Sequence, residues 1–265
     1  MAQAQATIGF SDASGYERFM GRWSRAVAGR FLRWIEPARS AKWLDVGCGT
    51  GILTEAVLDL CEPAAVTGID PAAAQIEHAS RGPAGTRAKF RQADAMTLPF
   101  GARAFDITAS ALVINFIPNR LRALAEMVRV TKRSGLVAGY VWDFGQELSP
   151  SGPLRRAMRT LGGEVPAVPG TAHSSLEALR SLFVDAGLDA IQSTTIDVTL
   201  AYSDLDDFWT AQTPGYSPTT KIINAMTDSE RRRLKRAVLE ALLVGPNGRI
   251  EYTARANVIR ATVPA

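Results

Sequence analysis

Apolar residues recur at spacings of three and four along residues 16–35, YERFMGRWSRAVAGRFLRWI, where Phe19, Trp23, Val27, Phe31 and Trp34 fall on one side. That spacing predicts an amphipathic helix, broken near Gly21 and ended by Pro37. The pattern then changes to short apolar runs. Residues 41–46, 65–69, 88–92, 106–110 and 136–142 read as strands. Between them, residues 52–60, 72–80 and 119–131 carry helical periodicity, the last with Leu121, Leu124 and Val128 on one face. Strands alternating with helices predict parallel pairing through right-handed crossovers, hence an open α/β sheet.

The texture shifts again after Gly145. Pro150, Pro153, Pro166 and Pro169 mark residues 146–172 as a connector or part of a lid, around a short helical piece at 154–161. Residues 174–186 read as a helix stopped by Gly187, and 191–200 as a strand. Residues 201–248 are mostly helical, and 249–263 form a final strand. Thr227 and Glu230 have capping-box spacing ahead of the stripe Leu234, Val238 and Leu242. The expected organisation is an N-terminal helical cap over 1–40, a core over 41–145, the connector over 146–172 and a return to the core over 173–200. A helical lid insertion over 201–248 and a last core strand over 249–265 complete it.

Composition narrows the function classes. Hydrophobic residues make up 46% and charged residues 21% of 265 residues, the balance of a globular domain that needs no disulfide or metal to fold. The net charge of +4 is a small excess, and its one dense run, RRRLKR at 231–236, reads as a solvated helix face. This points away from nucleic acid. Cys48 and Cys61 with His78 and His173 offer no metal-ligand spacing, so no metal is expected. No basic segment followed by an apolar core opens the chain, and no apolar run is long enough to span a bilayer. A cytoplasmic protein without stable membrane insertion is the expectation; the oligomeric state is not legible.

The candidate chemistry starts at LDVGCGTG, residues 44–51, directly after the first strand. Gly47, Gly49 and Gly51 allow positive φ and close approach to a ligand, and the next helix offers unpaired amides. Dinucleotides, phosphates and S-adenosylmethionine are all held by such loops. A dinucleotide fingerprint needs glycine where Ile52 stands, and the Gly-Lys-Ser/Thr of a P-loop is absent. Asp70 closes the second strand, where a carboxylate can accept both hydroxyls of a ribose or simply cap the next helix. Asp94, in RQADAMTLPF, can accept from an adenine amino group while the Ala95 or Met96 amide donates to the ring.

LDVGCGTG, GID, ADAMTLPF, FDITASALVINF and ALAEMVRVTKRSG, in this order over residues 41–142, resemble a class I S-adenosylmethionine-dependent methyltransferase. The closest likeness is to the ubiquinone/menaquinone-biosynthesis type (methyltransferase type 11) and its small-molecule relatives. The resemblance implies a Rossmann-like, seven-stranded, mostly parallel sheet with helices on both faces and helical lid insertions. It implies S-adenosylmethionine as methyl donor and S-adenosylhomocysteine as product. Asp45 and the loop Gly47, Cys48 and Gly49 match the positions around the methionine and sugar. Asp70, followed by Pro71, matches the ribose acid, and Asp94, Ala95 and Met96 the adenine step. Ser110 and Ala111 match the strand-four exit at the methionyl end, and Tyr16 an aromatic residue that closes over it, with Met20 and Trp23 as helpers or core.

The chain also departs from that pattern. VINF stands where relatives often carry histidine or aspartate, and Asn115 can orient a substrate but is a poor proton acceptor. KRSG at 132–135 replaces the usual lysine-proline-glycine turn. His173, at the end of the connector, is either a base or a loop residue before SSLEAL. Trp142, Asp143 and Phe144 follow the fifth strand, and Trp142 and Phe144 are candidate substrate contacts. Phe208, Trp209 and Tyr216 lie in the second insertion. Phe208 and Tyr216 either line an apolar acceptor pocket or form the lid's own core. A small-molecule acceptor, apolar or aromatic, fits these insertions. The rival readings are a non-catalytic S-adenosylmethionine-binding module and a nicotinamide-dependent oxidoreductase, which leaves the Asp94 segment unexplained.

Overall fold

The computed structural model describes residues 17–215, 217–245 and 247–265. Tyr16 and Tyr216 therefore lie outside the described residues. A π-helical turn, Glu17–Gly21, leads into α1 (Arg22–Ile35), so the break expected near Gly21 is a change of helix type. Glu36 in a left-handed conformation closes α1 ahead of Pro37. Then come β1 (Lys42–Val46), α2 (Ile52–Leu60), β2 (Ala65–Asp70), α3 (Ala73–Arg81), β3 (Lys89–Gln92), β4 (Phe105–Ala111) and α4 (Arg120–Val130). After β5 (Thr131–Trp142) follow α5 (Gly152–Thr160), α6 (Leu176–Asp185) and β6 (Asp189–Tyr202). The helices α7 (Leu205–Gln212), α8 (Pro218–Ala225) and α9 (Asp228–Glu240) precede β7 (Leu243–Val244) and β8 (Ile250–Thr262).

The sheet order is β3-β2-β1-β4-β5-β8-β6, with the short β7 attached to β8. β1 to β5 pair in parallel, and β8 runs antiparallel to both β5 and β6. The order reverses at β1, which lies between β2 and β4. In open α/β sheets a ligand crevice forms at such a switch, outside the carboxyl ends of the strands.

Side-chain alternation gives the sheet two apolar faces. One packs Trp43, Ile107, Ala138, Tyr140, Ala254 and Val258 against α1, α2, α5 and the 205–240 helices. The other packs Leu44, Val46, Ile69, Val137 and Val141 against α4 and α6. Complete burial of a side chain such as Phe31 contributes about 1.5–3 kcal/mol. The turn expected at 132–135 is absorbed as a bulge in β5: Phe105 pairs with Thr131, and Ile107 already pairs with Leu136. Asp106 accepts from Lys132 and from the Lys42 amide, tying the amino ends of β1, β4 and β5 together.

Candidate active site at the carboxyl edge of the sheet

The glycine loop leaves β1 at the switch point with Gly47, Gly49 and Gly51 at φ of 77°, 52° and 90°. The Gly47 and Cys48 amides both donate to the Ile69 carbonyl at 2.8 Å, which folds the loop back over β2. A methyl group on Gly47 would stand 2.6 Å from the Val113 side chain, so both conformation and space demand glycine. The same contact seats the residues after β4 against the loop. At Gly49 an added Cβ would meet nothing within 4 Å, and this side of the loop is open.

Two acids stand under and beside the loop. Asp45 is 2% exposed. Thr54 donates to its Oδ2 at 2.7 Å, and its Oδ1 has no partner. Burial pushes the Asp45 carboxyl up to about 7, against the pull of the Thr54 hydrogen bond. Asp70 braces the loop: its Oδ2 accepts from the Gly49 amide at 3.1 Å and its Oδ1 from the Ala72 amide at 2.9 Å. Burial raises its pKa, and these two amides oppose the rise. Pro71 accepts from Gln92 through its carbonyl. Burial raises the Cys48 thiol well above its ordinary range, which leaves it a packing group in the loop.

Asp94 is exposed, and its Oδ1 accepts from the Met96 amide at 2.8 Å in a tight local turn. The Met96 amide is thereby engaged, and the Ala95 side chain packs into the core shared with α4. The segment is clamped to α4. The Leu98 amide donates to Glu126 at 2.9 Å, and Arg129 bridges Glu126 to the Leu98 and Phe100 carbonyls. Arg122 holds the Met96 carbonyl at 3.1 Å.

The exits of β4 and β5 form the next part of the edge. Ser110 is buried with an unpartnered hydroxyl, and Ala111 leads into Leu112, whose φ of 61° is a strained value for a branched residue. Asn115 is 1% exposed, yet neither its Oδ1 nor its Nδ2 has a hydrogen-bond partner. Phe116 and Phe144, each half-buried, meet edge to face at 6.0 Å across the two exits. Asp143 is spent on structure, accepting from the Gln146 amide at 3.0 Å to close the loop after β5.

Several candidates are placed elsewhere. Trp23 is fully buried, with Trp142 at 6.1 Å and Tyr252 at 5.8 Å against its ring and its N–H donated to Tyr202. Core packing takes the ring, so the structure corrects its expected position at the cofactor; Met20 packs on the same cluster. Trp142 is a core residue for the same reason. Phe208 is fully buried against Tyr202 at 5.0 Å and is not available to a substrate. His173 is exposed, with its Nε2 2.8 Å from Arg120. Thr54, Phe116 and Arg120 are the site residues that the sequence pattern did not single out. Only the VINF departure pointed near one of them.

Three buried polar atoms around the loop lack partners: Asp45 Oδ1, Thr50 Oγ1 and Ser110 Oγ. Together with the open side of Gly49 they fit a polar ligand lying across the β1–β4 edge, and the donor set suits the amino-acid and ribose parts of S-adenosylmethionine. Two surface clefts, of about 360 and 320 Å³, open at the opposite edge beside Arg133 and carry none of these groups. Among the described residues no cluster of three His, Cys, Asp or Glu side chains is arranged for a metal. No described helix is long and apolar enough to cross a membrane.

Residues 44–139 match the family model described as "Methyltransferase domain". A demethylmenaquinone methyltransferase of Staphylococcus aureus is 38% identical over 110 residues, 41% of this chain and 46% of that protein. The chain thus spans about half the length of the curated relatives it matches. Among solved structures, the YcgJ protein of Bacillus subtilis superposes with a TM-score of 0.60 at 19% identity, covering 90% of this chain and 99% of that one. A phosphoethanolamine N-methyltransferase of Haemonchus contortus, solved with phosphomonomethylethanolamine and S-adenosylhomocysteine, gives 0.57 at 14% identity, covering 97% of this chain and 58% of that one. At these identities the solved structures speak for the fold. Fold and glycine loop agree with the match of residues 44–139 to a methyltransferase domain, of the class I, S-adenosylmethionine-dependent kind.

Proposed function

We propose that this chain transfers a methyl group from S-adenosylmethionine to a small-molecule acceptor held at the exits of β4 and β5. The observation that carries the reading is the convergence of groups on one sheet edge. Asp45 has a free oxygen, the Gly49 side of the loop is open, and Asp70 is fixed by two amides. Phe116, Phe144 and the unpaired Asn115 amide lie one strand further along.

In this reading Asp70 accepts the ribose hydroxyls, the Ala95 amide and Asp94 hold the adenine, and Asp45 with the loop holds the methionine end. The Ser110 and Ala111 backbone borders that end. The cofactor supplies an electrophilic methyl group whose departure leaves a neutral thioether. The chain's own work is alignment: Phe116 and Phe144 hold an aromatic acceptor by its ring, Asn115 orients a polar substituent, and the connector excludes water. Orientation of this kind is worth up to about 7–11 kcal/mol, and an acceptor hydroxyl that binds already ionised, its proton released to solvent beforehand, has none left for a protein base to take. The aromatic pair agrees with the quinone-derived substrate named for the Staphylococcus relative. A cytoplasmic setting remains part of the proposal.

The test is transfer of label from methyl-labelled S-adenosylmethionine into a panel of aromatic hydroxy acceptors. Labelled product that falls at least ~10-fold in Phe144→Ala supports the reading. Cofactor binding without transfer to any acceptor would instead favour a binding module.

A further inference from the structure

Arg120 opens α4, five residues beyond Asn115. Its Nη1 donates to the Ile117 carbonyl at 2.9 Å, and its Nη2 lies 2.8 Å from His173 Nε2. A guanidinium has no acceptor, so His173 accepts with its Nε2 lone pair and stands as a neutral imidazole. Burial, and then the Arg120 charge, lower the His173 pKa, in keeping with that state. In this arrangement the accepting nitrogen of His173 is engaged by Arg120.

Arg120 itself lacks a counter-charge. Among the described residues no carboxylate forms an ion pair with it, and burial lowers its pKa with no anion opposing. The Asn115 amide, buried and unpaired at both ends, belongs to a residue that packs on the same 170–173 turn. Gly170, at φ 74°, packs its α-carbon directly against the Asn115 carbonyl, which seats the 171–173 turn beside the β4 exit. A buried amide left unsatisfied carries the desolvation penalty of its polar atoms without a hydrogen bond to offset it. A partly desolvated guanidinium without an anion adds to that cost, and a ligand oxyanion would answer both.

We propose that Arg120, held in place by His173, and Asn115 form an oxyanion-binding rim that selects acceptors bearing a carboxylate or phosphate beside their aromatic part. The inference rests on the proposed acceptor site at Phe116 and Phe144. Arg120 supplies the charge and forked donors, Asn115 adds a hydrogen bond, and His173 is a positioning residue.

The test is calorimetric titration of the full chain, saturated with S-adenosylhomocysteine, with benzoate, phenyl phosphate and the neutral benzamide. At least one anion should bind ~10-fold or more tightly than benzamide. Arg120→Gln should abolish that preference while S-adenosylhomocysteine affinity holds, and His173→Ala should reduce it in part. Should Arg120→Gln fail to fold, Arg120→Lys should bind the anions more weakly than the native chain through loss of the planar fork. Equal binding of benzamide, no binding of any probe, or a preference that survives Arg120→Gln overturns the proposal. Loss of S-adenosylhomocysteine affinity with the preference intact also overturns it, and assigns Arg120 to the cofactor carboxylate. Phe116→Ala and Phe144→Ala separate the two readings: if neither changes the binding of any probe, the acceptor site fails. If both weaken binding but charge is ignored, the oxyanion rim alone fails.

Discussion

Asp45, the last residue but one of β1, is buried with one oxygen held by Thr54 and the other without a partner. Its folded pKa of about 7 lies above the ordinary carboxyl value. Between about pH 4 and 7 the folded chain therefore holds a proton that the unfolded chain has lost, and stability falls as pH rises through that window. The native chain should lose up to a few kcal/mol between pH 5 and pH 8, and Asp45→Asn should lose less. Urea unfolding at the two pH values checks this, and equal pH dependence in both chains would contradict it. The spacing of Asp70 from the glycine loop was legible in sequence because both sit at fixed positions on adjacent strands. The Arg120–His173 contact was not, because 53 residues and a connector separate the pair. Sequence left His173 as either a base or a loop residue before SSLEAL, and its contact with Arg120 favours the second.

The glycine loop separates folding from binding at two neighbouring positions. Gly47→Ala would push a methyl group into Val113 at a positive φ, and should cost about 1–3 kcal/mol of stability. Gly49→Ala meets no protein atom and carries only the left-handed penalty, roughly 1–2 kcal/mol, yet its methyl group occupies the open side of the loop. It should bind S-adenosylhomocysteine at least ~10-fold more weakly while still melting as one transition. Normal affinity in Gly49→Ala would move the cofactor off this side. On α9 the capping box forms as its sequence spacing predicted, so Thr227→Ala should cost about 1 kcal/mol in thermal unfolding. Helices and the parallel strands were legible because their apolar periodicity is local. The two-residue β7 and the bulge in β5 were not, since each is defined by its partner strand.

Across the whole molecule, periodicity indicated an α/β sheet but not its order. Nothing local in residues 249–263 says that this strand inserts antiparallel between β5 and β6. That insertion explains the fate of the aromatic candidates. α1, α5 and the 205–240 helices converge on β6 and β8, and their shared core absorbs Trp23, Trp142 and Phe208. Sequence left Phe208 open between pocket lining and lid core because it cannot show which helix face meets the sheet. The aromatic pair that does stand at the site, Phe116 with Phe144, joins segments after two different strands. The central claim is that the switch-point crevice takes S-adenosylmethionine and not a dinucleotide. Calorimetric titration of the full chain with S-adenosylmethionine, S-adenosylhomocysteine and NADH tests it most directly. Both sulfur ligands should bind, Asp70→Ala should weaken them by roughly 10- to 100-fold, and NADH should give no saturable heat. Saturable binding of NADH with none of S-adenosylhomocysteine would contradict the account.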